Sequence, residues 1–336
     1  MTCDIIIPIW NQLEFTKDCI DSIVKNTKDY SLVLVDNAST DEVKNYLEGL
    51  KASYGEKIRL IRNDKNLGFV KAVNQGIASS KAPYICVMNN DTVAYGNWLG
   101  EMVNIAESSK DIGIVNPSSN NLGQSPQEGV PISHYAARFD SEKGKFIELG
   151  AAIGFCMLIK RAVIEKIGAF DEIYGMGNFE DTDFSRRAVK EGYRCVRACG
   201  AYVHHRQNTS FNKIRTFSDD FKRNREIYEF RWGRPKRLAY VLDIYDSNTL
   251  LKIGNDALVM ARLGNWIWCF AKNRVNFPEH SNIIYKVTGD KGFYASVLFK
   301  ILTKKKRFDE IFVGSQTFGR ILKWLDFIHK ARVNYY

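Results

Sequence analysis

Apolar and polar positions alternate along this chain in blocks of two kinds. Residues 4–9 (DIIIPI) form a short run rich in β-branched side chains, the pattern of a buried strand. From 13 to 25 the apolar residues Phe15, Cys19, Ile20, Ile23 and Val24 recur at helical spacing. The alternation continues with a strand at 32–35 (LVLV) and a helix at 41–50 that Ser39 or Thr40 can cap. A strand at 58–61, a helix at 69–79 and a strand at 84–88 (YICVM) follow. Strands alternating with helices predict an α/β fold, a mostly parallel sheet flanked by helices. In such sheets ligands bind outside the carboxyl ends of the strands. The polar clusters fall at those ends: residues 8–11, 36–40, 63–68 and 89–92.

After residues 111–117 the rhythm loosens. Residues 118–148, rich in Ser, Asn, Gly, Gln and Pro, predict a long, mobile loop. Order returns with a buried strand at 151–160, helices at 162–167 and 181–191, a strand running to His205, and a helix at 218–232. Gly233-Arg234-Pro235 punctuates that helix. An alternating pattern then restarts, with strands at 238–242, 266–270, 283–287 and 310–313. Helices at 256–263, 293–302 and 320–332 separate and end them. The expected organisation is a domain at 1–234 and a smaller α/β domain at 235–336; an all-helical appendage is the alternative.

Composition sharpens this division. With 336 residues, 45% hydrophobic and 26% charged, the chain has ample material for a core and is neither disordered nor a disulfide-stapled miniprotein. The net charge of +10 is unevenly spread. Residues 215–336 carry 23 Lys+Arg against 12 Asp+Glu, so the excess lies there and the first 214 residues are nearly neutral. The seven cysteines are odd in number and mostly sit in apolar runs, as reduced thiols of a cytoplasmic protein do. Cys195 and Cys199 lack a second ligand pair at zinc spacing. No signal-peptide pattern opens the chain, and no apolar run approaches the ~20 residues that span a bilayer. The expected location is cytoplasmic, with the basic part offering attachment at the inner face of the cell membrane.

Three clusters carry chemistry. Asp36, ending the second strand in DNASTD, can accept a hydrogen bond from a nucleobase or a ribose hydroxyl, or can simply serve a turn and helix cap. Asn89-Asn90-Asp91 ends the strand YICVM, and a carboxylate there suits Mg²⁺ or Mn²⁺ bound by a diphosphate. Glu180-Asp181-Thr182-Asp183 places three acids in four residues, followed by Arg186, Arg187 and then His204-His205. Such acids repel one another unless solvated or counter-charged, and Arg186 and Arg187 are placed to balance them. The plain reading is a solvated helix N-terminus; the chemical reading is a general base.

The runs DIIIPIWNQLEFTKDCIDSI, LVLVDNASTD, RNDKNLGFVKAVNQGI, YICVMNNDT, NFEDTDFSRRAVKEGYR and HHRQNTSF, in this order, resemble the family 2 inverting glycosyltransferases. Within them the chain looks most like the rhamnosyltransferase-like branch of bacterial polysaccharide assembly. The resemblance covers residues 1 to about 232. It implies a GT-A fold, a nucleoside diphosphate sugar donor (UDP- or dTDP-linked), a divalent cation, Mn²⁺ or Mg²⁺, and a glycan or lipid-linked saccharide as acceptor. By the same resemblance Pro8, Trp10 and Asn11 match the loop over the nucleobase, and Asp36 the acid on the base or ribose. Asn66, Gly68, Phe69 and Asn74 match the stretch beside the nucleotide, with Asn89 and Asn90 next to it. Asp91 matches the metal-binding acid, Asp181 the catalytic base with Glu180 its neighbour, and His205 the metal-site histidine. His204 is its alternate; the spacing to Ser210 and Phe211 favours His205. One departure is that Asn89 replaces the first acid of the family's DxD element, which lowers the negative charge available to a cation.

Two rivals of other kinds remain. A sugar-nucleotide-binding module without catalysis would account for Asn89, but not for the intact Glu180, Asp181 and His205. A nucleotidyltransferase would want a Gly-rich, Arg-containing loop after the first strand, where this chain has PIWNQLEF. The basic C-terminal part has Trp266, Trp268, Phe270, Trp324 and a Lys-Lys-Lys-Arg run at 304–307, yet no motif of a nucleic-acid reader. A solvated face or an anionic membrane surface is the expected reading of that charge, and nucleic acid is not an expected partner.

Overall fold

The structure of the protein, a computed structural model, describes residues 3–206, 217–243 and 246–336. It divides into two compact units: Met1–Ile147 with Ala151–Trp232, and Glu148–Gly150 with Gly233–Tyr336. The strands up to His205 are β1 (Cys3–Ile9), β2 (Tyr30–Asp36), β3 (Ile58–Arg62), β4 (Tyr84–Met88), β5 (Thr92–Tyr95), β6 (Ile112–Ser118), β7 (Phe146–Leu149), β8 (Cys156–Lys160) and β9 (Arg194–His205). They form one sheet in the order β3-β2-β1-β4-β8-β6-β9-β5, with β7 beside β9. β3, β2, β1 and β4 are mutually parallel, as the alternating pattern predicts. β8 runs antiparallel between β4 and β6, and β5 runs antiparallel to β9.

Register places the polar clusters. Ile9 pairs with Asp36 and Asp36 with Arg62, so the segments after β1, β2 and β3 leave the sheet side by side. Thr92 pairs with His205 at the far edge, which brings the end of β9 to the turn after β4. Beneath lies a core of Ile5, Ile7, Ile9, Leu32, Leu34, Cys86, Met88 and the fully buried Trp98. Trp98 sits on a helix, Trp98–Glu107, that the sequence pattern had not separated from its surroundings.

Two expectations are corrected. The strand expected over 151–160 begins only at Cys156, because the side chain of Asn116 takes over the hydrogen bonding of the Ile153 backbone. The stretch 118–148, expected as a loop, contains helical turns at Asn120–Leu122, Ile132–Ala137 and Arg138–Glu142 as well as β7. Tyr135 and Phe139 anchor it by packing on the ring of Tyr202, at 5.5 and 4.8 Å between centroids.

The second unit is α/β rather than all-helical. β10 (Arg237–Leu242), β11 (Trp266–Ala271), β12 (Ile283–Val287), β13 (Glu310–Val313) and β14 (Arg332–Tyr335) form a parallel sheet in the order β12-β11-β10-β13-β14. The helix expected at 320–332 is instead Gln316–Trp324, a short turn at Asp326–His329, and then β14. Lys330, at φ 57°, breaks the helix, and His329 accepts from the Ala331 N–H to start the strand. A helical apolar period continues through such a break, because it registers faces and not hydrogen bonds.

The acidic start of helix Glu180–Lys190 is not simply solvated. Asp183 is fully buried and accepts from Arg187 Nε at 2.9 Å, Arg231 Nη1 at 2.8 Å and Trp232 Nε1 at 2.8 Å. Arg187 balances it as expected; Arg186 instead lies over the Trp232 ring, 5.4 Å from its centroid. This cluster ties helix Phe217–Trp232 to the helix that carries Glu180 and Asp181. Removing the acid takes their buried carboxylate from two guanidinium groups, leaving Arg187 to the Ile167 and Ala169 carbonyls and Arg231 to Asp171. Asp183→Ala should therefore lower the stability of the first unit by about 3–5 kcal/mol, read in its unfolding transition in urea.

Candidate active site

At the carboxyl ends of β1 to β3 the chain builds a tight polar floor. Asp36 is buried; Arg62 Nη1 donates to its Oδ2 and the Ser39 N–H to its Oδ1 at 2.9 Å. Asn11 and Gln12 both lie in the left-handed region, and the Asn11 N–H donates to Ser39 Oγ at 2.8 Å. Ser39 thus holds the turn after β1 and does not cap the helix that begins at Asp41; neither does the Thr40 side chain. Trp10, 37% exposed, stands at this turn beside Pro8. Asn66 accepts from Asn37 Nδ2 at 2.7 Å and from the Gly68 N–H at 2.9 Å. Gly68, at φ 86°, leaves no room for a side chain: a Cβ would lie 2.9 Å from the Gly175 carbonyl oxygen. Phe69 opens the helix Phe69–Ser79. Asn74 on that helix is bonded through both amide atoms to the Phe170 backbone, at 2.9 and 3.1 Å, so its side chain fastens the 170 segment.

A second cluster forms where β4 and β9 end. His205 Nε2 lies 3.0 Å from Asp91 Oδ1 and 3.4 Å from Asn89 Nδ2. The other ring nitrogen, Nδ1, meets the Asn121 amide at 2.6 Å, and Asn120 bonds both the N–H and the C=O of His205. Asn90 turns away and donates to Thr16 Oγ1 on helix Leu13–Asn26. His204 points to the opposite side of β9, as strand alternation requires, and its Nδ1 faces the Tyr202 hydroxyl at 3.4 Å. Burial, then the charges of Arg206 and His205, hold the His204 imidazole below its ordinary range. Ser210 and Phe211, which bore on the choice between the two histidines, lie outside the described residues.

Among the described residues, no three His, Cys, Asp or Glu side chains are grouped to hold a metal. The pair Asp91 and His205 still fits part of such a site. Adjacent ligand atoms of an octahedral cation with bonds of about 2.1 Å lie about 3.0 Å apart, the separation observed. The Asn121 Nδ2 faces Nδ1, so the neutral ring donates from Nε2 to Asp91 Oδ1, and a cation held by the pair would take the place of that proton.

The third cluster is Glu180 and Asp181, at the start of their helix. Residues Asn178 and Phe179 before it both have positive φ, which turns the chain sharply into the helix. Asp181 Oδ2 accepts the Gly154 N–H at 2.8 Å, and Oδ1 the Thr182 N–H at 2.6 Å. Burial pushes the Asp181 carboxyl up, against the hydrogen bonds from Gly154 and Thr182 that pull it down. Among the described residues Glu180 Oε2 has no hydrogen-bond partner. Burial, and secondarily the charge of Asp181, push Glu180 well above the carboxylate range.

One dipeptide connects the second and third clusters. Gly154 gives its N–H to Asp181, while the ring of Phe155 stacks on His205 with centroids 5.5 Å apart and its carbonyl accepts the Asn89 N–H at 2.8 Å. The fully buried Asn116 accepts the Ile153 N–H and donates to the Ile153 and Cys156 carbonyls, fixing this segment. Arg62, Asn116, Asn120 and Asn121 were not singled out from sequence. Their only signal was position, after the third strand or in the polar stretch at 116–121.

The glycosyl transferase family 2 model matches residues 4–168. This chain carries a family 2 glycosyltransferase domain. An uncharacterized glycosyltransferase of Rickettsia prowazekii is 24% identical over 330 residues, 96% of this chain and 95% of that protein. Glycosyltransferase AglE of Haloferax volcanii is 22% identical over 56% of this chain and 62% of its own length. Among solved structures, the fold resembles a Pyrobaculum calidifontis mannosyltransferase in complex with GDP-Man and Mn²⁺, with TM-score 0.52 and 15% identity over 69% of this chain and 65% of that one. It also resembles S. aureus TarS 1-349 in complex with UDP-GlcNAc, with TM-score 0.52 and 14% identity over 77% and 72% of the two chains. The first unit therefore has the GT-A type of architecture.

In this glycosyltransferase domain the acid pair costs stability. The folded state holds the Glu180 proton above pH 4.5, where the unfolded chain has released it, so stability falls as pH rises through that window. Glu180→Gln should make the protein more stable near neutral pH than the wild type and flatten that fall, measured by thermal unfolding across pH.

Proposed function

We propose that this chain is an inverting glycosyltransferase. It moves a hexosyl or rhamnosyl group from a UDP- or dTDP-linked donor to a hydroxyl of a glycan or lipid-linked saccharide in bacterial surface polysaccharide assembly. The observation that carries this reading is the attachment of Asp181 and His205 to neighbouring residues, Gly154 and Phe155. A base for the acceptor and a pair suited to a diphosphate-bound cation thus share one rigid frame. The nucleotide sugars bound by the structural neighbours, GDP-Man and UDP-GlcNAc, support a donor of this class.

Asp181 takes the proton of the acceptor hydroxyl as that oxygen attacks the anomeric carbon. The bond from that carbon to the diphosphate breaks on the opposite face, and the nucleoside diphosphate leaves with the electron pair. A carboxyl raised by burial suits this role, because its basicity is greater than that of a solvated aspartate. Asp91 and His205 would hold Mn²⁺ or Mg²⁺, which stabilises negative charge on the leaving diphosphate when bound. Asp36, with Trp10 and Asn11 at the neighbouring turn, would face the nucleobase and ribose, and Asn66 and Gly68 shape the floor beside them.

Asn89 favours a second reading, a module that binds a sugar nucleotide without transferring the sugar. Release of nucleoside diphosphate in a screen of donors, with and without Mn²⁺, separates the two. Asp181→Asn should lower transfer by at least ~100-fold while leaving donor binding nearly unchanged; wild-type rates in that variant would remove Asp181 as the base. Asp91→Ala should weaken nucleotide binding only when Mn²⁺ is present, as titration calorimetry would record.

A further inference from the structure

All five strands of the second unit are parallel, so their amino ends lie along one edge of the sheet. A crossover helix between parallel strands returns its carboxyl end to that same edge. The chain concentrates two kinds of side chain there. Trp266 opens β11, Trp324 ends helix Gln316–Trp324, and Phe327 lies in the short turn between that helix and β14. These rings are 43%, 75% and 67% exposed. The exposed cations Lys305, Lys306 and Arg307 lie between helix Phe293–Thr303 and β13.

The local charge is unbalanced. Residues 291–336 hold 10 Lys+Arg and 3 Asp+Glu. Two of those acids are already engaged, Asp309 by Arg234 and Glu310 by Lys236. The preceding Lys304 does not turn outward to relieve the crowding. Its ammonium sits 3.9 Å from the Trp268 ring centroid, and the Arg237 guanidinium approaches that same ring at 5.0 Å. The like charges are therefore gathered at one edge instead of being dispersed over the surface.

Exposed tryptophan and phenylalanine beside uncompensated lysine and arginine is the composition of a surface that enters a lipid headgroup layer. The rings gain by leaving water at the headgroup boundary, and the cations gain from acidic headgroups. We propose that this edge docks on an anionic lipid surface, with Trp266, Trp324 and Phe327 entering the headgroup region and Lys305, Lys306 and Arg307 meeting the acidic headgroups. The proposal does not depend on the glycosyl-transfer reading, since every residue in it belongs to the second unit.

Co-sedimentation of the full chain with phosphatidylcholine vesicles, alone or with one third phosphatidylglycerol, tests it. Binding should require the anionic lipid and weaken as salt is raised. Replacing Lys305, Lys306 and Arg307 together by glutamine should lower affinity on the order of a hundredfold, from about 1 kcal/mol for each cation. Trp324→Ser with Phe327→Ser should lower it independently, with melting temperature and release of nucleoside diphosphate unchanged. Equal binding to neutral vesicles, absence of binding to anionic ones, or wild-type affinity in both variants would overturn the proposal. So would binding of a single-stranded oligonucleotide without any binding to vesicles, which would assign the edge to nucleic acid instead.

Discussion

The amide of Asn116 is the contact on which the geometry of the candidate site depends. It is fully buried, and it satisfies the backbone of Ile153 and Cys156 at the start of β8. The segment between them is thereby held off the sheet. Gly154 can then turn its N–H to Asp181, and Phe155 can lay its ring against His205. Without a side-chain amide there, the backbone groups of this segment would be left unpaired inside the protein, which is costly. A single buried polar side chain thus coordinates a carboxylate from one helix with an imidazole from a distant strand.

The three acids at 180, 181 and 183 show how little a local cluster says about chemistry. Asp183 is matched by two arginines and a tryptophan and serves the packing of two helices. Asp181 keeps partial exposure and accepts two backbone N–H groups, which hold it in place. Glu180 is buried with an oxygen that has no partner among the described residues, an unfavourable arrangement of the sort that persists at functional sites. Residues one turn of helix apart thus have three different roles, set by what faces them from other elements.

Much of the architecture was legible beforehand. The strand at 84–88 and the helix at 69–79 were read to the residue, because strong period and sharp polar boundaries coincide there. The parallel start of the sheet and the α/β nature of the basic unit followed from the same alternation. What was not legible shares a cause. The late start of β8, the turns within 118–148 and the break between Gln316–Trp324 and β14 are each decided by contacts with residues far along the chain or by a single backbone angle. In the candidate site, Asp36, Asp91, Asp181 and His205 stood out by residue type and position, whereas the asparagines that orient them did not. An asparagine in a polar loop has no distinctive local signature.

By itself the sequence determined which segments are strands and helices over most of the chain, that polar side chains collect at the strand ends, and that the positive charge belongs to the last third. These are properties of neighbouring residues, set by period, by turn chemistry and by counting. The tertiary structure alone decided which acid is buried and matched, which is held by backbone N–H groups, and which histidine of the pair meets Asp91. It also decided that cations and aromatic rings separated along the chain share one edge of a parallel sheet. Burial, register and the direction of a side chain are set by partners distant in sequence, and they exist only once those partners have come together.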